Sequence, residues 1–478
     1  MNHVLSATVL AMSLLLASCG NSQAPEGQAR AAATPKAVCG PGSRPETDLQ
    51  GRVTVQDHES GRAAAGFTCN TELVGQHINP DASVSVAGFK VLRYVDDSGR
   101  ECAYYDSTRL FPESVLAGEL GVVVLDMSDP SKPVRSKRLL TPAMLSPHES
   151  LVLSQERGVL AAVLGNLVFG PGVVDVYDLK ADCRNPVLKS SLPVGVLGHE
   201  SGMSPDGLTF YSASNAAPTL TAVDLSIPSL PLPLAIIPIS SHGLSISDDG
   251  NRAYIASGST TLEDFVGAGE GYPSLIILDV SEIQARKPFP KVREISRLKW
   301  DNITIPQNAI PITIKGHPYL VEVDEFATNG KSKLPSANGI RVGAARIIDI
   351  GDETQPKVIS DLRLEVHQPE NRATIADDPG AQQFTGGYAG HYCNVPTRVD
   401  PPIVACSMLL SGLRVFDIRD PHNPREVAYF NAPLSKRAGS TNSAVSSPSF
   451  VPERKEIWYT DLTTGFYAVR LTNGAWPD

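Results

Sequence analysis

The sequence carries no excess of positive charge. Its 41 Lys and Arg face 51 Asp and Glu, for a formal net charge of −10, and no basic cluster interrupts that balance. Nucleic acid is excluded as a partner, because binding it requires a positive footprint along the phosphates. After residue 20 there is no apolar run long enough to span a bilayer as a helix. A P-loop, a Gly-rich dinucleotide fingerprint and a G-x-S-x-G elbow are all missing. What is present is punctuation: 39 Gly and 38 Pro among 478 residues that are 42% apolar. Short strands joined by many turns give that profile, and the chain is long enough to bury a large core.

The N-terminus reads as an export signal over residues 1–19. An apolar run from Val4 to Ala17 closes on Leu16-Ala17-Ser18-Cys19. This ending resembles the lipobox of bacterial lipoproteins, although only His3 precedes the run where Lys or Arg is usual. The resemblance implies lipidation of Cys19. It also implies attachment to a bacterial membrane, with Gly20 in place of a retention Asp pointing to the outer membrane, facing the periplasm or the cell surface. A plain signal peptide with an incidental Cys19 is the alternative. Residues 20–38 are small, polar and Pro-containing, as in a flexible tether. Six cysteines follow, an even number that suggests disulfides in an exported chain. Cys393 with Cys406 is the first pairing expected, because a hairpin brings them together. Cys39 with Cys69 is the second.

The chain repeats itself. One apolar strand recurs with a terminal aspartate at Asp126, Asp178, Asp224, Asp279, Asp349 and Asp417, and a seventh copy carries Arg470 instead. The spacing runs from 46 residues (Asp178 to Asp224) to 70 (Asp279 to Asp349), as for four-stranded propeller blades with their loops. Pro-rich turns follow several copies, ending at Pro133, Pro186, Pro356 and Pro424, and turn signals such as Ser204-Pro205-Asp206-Gly207 precede them. These residues resemble the LVIVD-repeat family of bacterial propellers over roughly residues 85–471. The resemblance implies an all-β, seven-bladed β-propeller and leaves function open.

The last copy ends at Leu471 and is a third strand, so blade 7 lacks its outer strand. Exposed sheet edges are avoided, and an N-terminal strand within about residues 50–88 is expected to close the ring. Val53–Val55 and Ser83–Gly88 are the candidates, with Cys39 and Cys69 pinning the seam. The expected organisation is signal 1–19, tether 20–38, closing segment 39–85 and propeller 86–478.

Four histidines share one repeat position, the start of the innermost strand: His148, His199, His242 and His391. Blade 5 has Gln307-Asn308 there, and blade 1 has Phe89-Lys90. Equivalent positions lie in one radial shell, so four imidazoles are expected to converge on the axis. Histidine suits one copper, iron or zinc ion, and Glu149 and Glu200 are placed to orient the imidazoles. Carotenoid-cleaving oxygenases hold iron with four imidazoles on a seven-bladed axis; the parallel is one of geometry, without sequence resemblance. The competing expectation is structural, with His199 bonded to Asp224 and His391 to Asp417 inside their own blades. Long insertions at 258–272, 325–343, 366–390 and 431–446 gather on the face where the innermost strands begin. Asp324, Glu325, Arg341, Arg372, Asp377, Asp378 and Tyr388 are their polar residues.

Three functions remain open at this point. The chain is a tethered monomer that binds a small molecule, glycan or protein through its loop-rich face. Alternatively, it is a periplasmic metalloenzyme of oxidase or oxygenase type, or a propeller hydrolase of the lactonase kind with no nucleophile in evidence. The sequence favours the first, because it defines the fold better than any site.

Overall fold

The computed structural model describes residues 32–78, 88–106, 121–165, 172–196, 198–214, 218–257, 273–328, 336–337, 339–383, 386–434 and 440–477. Residues 32–478 form one compact unit, an all-β seven-bladed propeller. Each blade is an antiparallel sheet. Blade 1 runs Val91–Val95, Glu101–Tyr105, Val122–Asp126 and Val134–Leu139. Blades 2, 3 and 4 begin at Val152–Ser154, Ser201–Met203 and Gly243–Ile246, and blades 5, 6 and 7 at Ile305–Ile314, Tyr392–Asn394 and Ser449–Val451. The third strand of every blade is the recurring apolar one. It is buried on both faces between neighbouring blades, as Val122–Leu125 and Leu275–Leu278 show, and this explains its unbroken run of branched residues.

The recurring aspartates cap their own turns. Asp126, Asp178, Asp224, Asp279, Asp349 and Asp417 each accept a hydrogen bond from the backbone N–H two residues on, at 2.8 to 3.1 Å. This Asx geometry turns the chain out of the third strand. It also corrects the expected His-to-Asp links: the carboxylates of Asp224 and Asp417 are engaged by Ser226 and Arg419, and the histidines face elsewhere. The exception, Arg470, has its own reason. It donates to Glu456 on the neighbouring strand and to Glu72 on the closing strand, at 3.0 and 2.9 Å.

That closing strand is Thr71–His77, antiparallel to Gly465–Leu471 with Glu72 opposite Arg470. An N-terminal strand therefore closes blade 7, but neither named candidate supplies it. Val55 begins a short helix, Val55–Glu59, because Thr54 and Asp57 form a reciprocal capping box. Ser83–Ala87 lie outside the described residues. Just before the closing strand, Phe67–Cys69 adds a fifth strand to blade 6 against Tyr429–Asn431. One N-terminal segment thus stitches blades 6 and 7 together.

Cys39–Cys69 and Cys393–Cys406 are bonded, the first beside this seam and the second across the Tyr392–Asn394 hairpin register. Cys102–Cys183 is the third disulfide and ties blade 1 to the turn after the third strand of blade 2. Two buried arginines occupy one repeat position, three residues before the strand-ending aspartate. Arg346 bonds Glu322 and Asp324 and lies on the Trp300 ring. Arg414 bonds Glu46 and Glu426 and lies on Tyr429.

Candidate metal centre on the propeller axis

The innermost strands bring their first residues to the channel, where equivalent positions touch across blades. Glu149 and Glu200 form a parallel bridge, as do Lys90 and Ser447. The four histidines meet there. His242 and His391 are buried, His148 is 8% exposed, and the His199 side chain keeps 12% of its surface accessible. The ring centres of His148 and His199 lie 4.6 Å apart, and those of His199 and His242 4.8 Å.

Two ring orientations follow from the backbone. His242 Nδ1 lies 2.8 Å from the Pro306 carbonyl, and His391 Nδ1 lies 2.5 Å from that of Val445. A carbonyl only accepts, so both Nδ1 atoms carry the proton and both Nε2 atoms turn to the centre. There His242 Nε2 is 3.0 Å from His199 Nε2. Two carboxylates flank the group. Glu149 oxygens lie 3.2, 3.8 and 3.7 Å from Nε2 of His199, His242 and His391. Glu325 oxygens lie 3.4 and 3.3 Å from Nε2 of His242 and His391. His148, Glu149 and His199 present ligand atoms all within 4.8 Å of one another.

The electrostatics match this crowding. Burial and the His199 charge push His242 down to about 3, so its ring is neutral. Burial also disfavours charge on His199, but Glu149 outweighs it and raises that imidazole. Burial raises Glu325, although the His391 bond opposes it. The neutral His242 ring therefore directs a lone pair at another imidazole nitrogen and at carboxylate oxygens. Converging electron pairs of this kind need a cation between them, a proton or a metal ion.

The surroundings fix the cluster from both sides. On one side is an apolar group of Ala327, Val342, Ala389, Leu409 and Val445 with Phe89 and Phe326. Phe89 packs against His148 and His391 at 4.9 and 5.0 Å between ring centres. His148, Phe326 and Leu409 all adopt left-handed backbone angles, with φ of 52°, 54° and 41°. Such strain in bulky residues persists only where the surrounding packing imposes it, and it gathers at functional sites. On the other side the channel is plugged by polar pairs. Lys90 reaches Glu200 at 2.5 Å and stands 4.2 Å over the Tyr392 ring. Asn308 donates to Glu200, and Gln307 donates to Glu149, at 2.7 Å each.

The sequence reading and the structure differ in detail. All four histidines lie in one cluster, and Glu149 sits at its centre. Glu200, expected beside an imidazole, bonds Lys90 and Asn308 instead. Glu325, expected on a long loop, ends the strand His317–Glu325 and is buried at the cluster. Asp324 belongs to the Arg346 ion pair, while Asp378 takes Arg52 and the Tyr388 hydroxyl. The 258–272 insertion lies outside the described residues.

No family model and no curated protein matches the chain. Solved structures similar to it include the hydrazine synthase of Kuenenia stuttgartiensis, at 12% identity and TM-score 0.49, covering 83% of this chain and 98% of that one. A candidate 6-phosphogluconolactonase of Bacteroides uniformis is 11% identical with TM-score 0.48, covering 71% and 84%. Another, from Bacteroides fragilis, is 10% identical with TM-score 0.46, covering 83% and 92%. Likeness at this level says nothing about chemistry.

Proposed function

We propose that the chain is an exported, lipid-anchored metalloenzyme of oxidase or oxygenase type that holds one copper or iron ion on its propeller axis. His199, His242 and His391 are the central ligands, His148 is the fourth imidazole, and Glu149 and Glu325 are the carboxylates within reach. The observation that carries this reading is the neutral His242 Nε2, 3.0 Å from His199 Nε2 and facing carboxylate oxygens. Two cis ligands each about 2.1 Å from one ion stand about 3.0 Å apart. An imidazole-rich set with carboxylates suits iron, copper or zinc, and zinc would turn the reading toward hydrolysis. A bound copper or iron ion would supply one-electron and oxygen chemistry. The protein's own part is to hold the imidazole tautomers through Pro306 and Val445, and to keep the Phe89–Phe326 side apolar. The lipid anchor rests on Cys19, and membership of the LVIVD-repeat family rests on the repeat itself.

A second reading, ligand binding on the loop-rich face, has its own observation. A pocket of about 210 Å³ is lined by Ala337, Arg372, Ile375, Ala381 and Gln382.

Elemental analysis of the chain expressed without residues 1–19 separates the two. The expected result is about one equivalent of copper or iron, lost in His199→Ala and His391→Ala with the circular dichroism spectrum unchanged, and kept in Arg372→Ala. Absence of metal after reconstitution with Fe(II), Cu(II) and Zn(II) would overturn the proposal and leave a proton-sharing cluster.

A further inference from the structure

Where blade 5 leads into the 366–390 segment, a buried guanidinium has no counter-charge in contact among the described residues. Arg363 is 3% exposed. It donates from Nη2 to the His367 carbonyl at 3.1 Å, while its buried Nη1 has no hydrogen-bond partner among the described residues. Its backbone is clamped to the N-terminal strap: Thr34 N donates to the Arg363 carbonyl at 2.8 Å, and Arg363 N donates to Thr34 Oγ1 at 3.0 Å.

A second donor sits beside it. His367 is completely buried, and its Nδ1 accepts from Leu364 N at 3.2 Å. A neutral ring accepting at Nδ1 carries its proton on Nε2. That buried Nε2–H also has no partner among the described residues.

Asp361 acts on the guanidinium through its field without an ion pair to it, and four other carboxylates are engaged by other arginines. Glu322 and Asp324 bond Arg346, and Glu46 and Glu426 bond Arg414. Arg372 adds further positive charge and donates to the Ala337 carbonyl at 2.9 Å. Burial, with Arg346 and Arg372 nearby, lowers Arg363 to about 10, and Asp361 opposes that fall; the group stays charged at neutral pH. An isolated buried charge and an orphaned N–H are both costly.

We propose that Arg363 Nη1 and His367 Nε2 bind a small monovalent anion of the halide class, chloride in the periplasm. An anion that only accepts suits two donors, whereas a water molecule there must also find acceptors for its own protons. The bound anion locks the turn Glu365–His367 against blade 5 and the Thr34 strap. It thereby fixes the start of the 366–390 segment.

The test is thermal unfolding of the chain lacking residues 1–19 in sodium chloride or sodium gluconate at constant ionic strength. The melting temperature is expected to rise with chloride. At a 100-fold excess over Kd, the folding constant grows about 100-fold. Arg363→Met, which removes the charge and keeps the stem, should lose that dependence. A melting temperature indifferent to chloride, or a chloride effect undiminished in Arg363→Met, would overturn the proposal. Should that variant fail to fold, crystals of the unsubstituted chain grown in bromide decide the matter. An anomalous peak within hydrogen-bond reach of both nitrogens supports the site, and its absence, as for an ordinary water, refutes it.

Discussion

Replacing Gly243 by alanine adds one methyl group to the most crowded point of the channel. Gly243 follows His242, and its φ lies outside the left-handed region, so alanine meets no backbone penalty. The cost is steric. The new Cβ would overlap Glu200 Oε2 and the Gln307 carbonyl, both far inside van der Waals contact. Glu200 would have to leave its place, giving up Lys90 at 2.5 Å and Asn308 at 2.7 Å. Both charges are buried, Glu200 at 0% and Lys90 at 6% exposure. Breaking one such pair costs about 3–5 kcal/mol, and the Gln307 carbonyl moves only with its strand. Against a total stability of about 5–15 kcal/mol, that is a large share. Urea unfolding should show a lowered midpoint with an unchanged slope. If the clash with Glu200 is the cause, Gly243→Ala and Glu200→Ala will not add: the double variant will be less destabilised than their sum. A Gly243→Ala chain within about 0.5 kcal/mol of the parent, the range of ordinary surface changes, would refute this account of the channel.

Other outcomes follow from the same contacts. Cys102–Cys183 closes 81 residues and Cys393–Cys406 only 13. Loop-closure entropy therefore makes removal of the first costlier by about 1.6 kcal/mol, as measured by urea unfolding of the two Cys→Ser pairs. Arg346→Met leaves Glu322 and Asp324 buried without their cation and should cost about 3–5 kcal/mol. Burial, and next Asp324, already raise Glu322, so in that variant the folded chain keeps a proton that the unfolded chain releases. Its stability should fall as pH rises above the ordinary carboxylate range, and a flat profile would contradict the assignment. Cys19→Ser should abolish labelling by a palmitate analogue and release the chain from the membrane fraction. Unchanged labelling would remove the lipid-anchor reading.

The fold was legible because its signal is local and repeated. Each third strand is buried on both faces and must be uniformly apolar, and each aspartate caps the turn it ends on, so strand and turn recur together. The closing strand escaped because an outer strand has one wet face. Glu72, Leu73 and Gln76 point to solvent or to partners on the same edge, and Thr71–His77 shows no apolar run. Val53–Val55 looked more strand-like, yet Thr54 with Asp57 is a helix-start signature that the sequence displays plainly. The candidate centre divides along the same line. His148, His199, His242 and His391 were found because they share a repeat position, and radial equivalence brings such residues to one axis. Glu325 was named only as a loop residue and not with the histidines, because it arrives from the far end of a second strand. What singles it out is burial at the cluster, a three-dimensional property. The same holds for Lys90, a lone cation among strand starts, whose role is defined by Glu200 two blades away. A repeat protein thus reveals from sequence those residues that obey its symmetry, whereas the carboxylate and the cation that complete its channel break it and become visible only once the ring is closed.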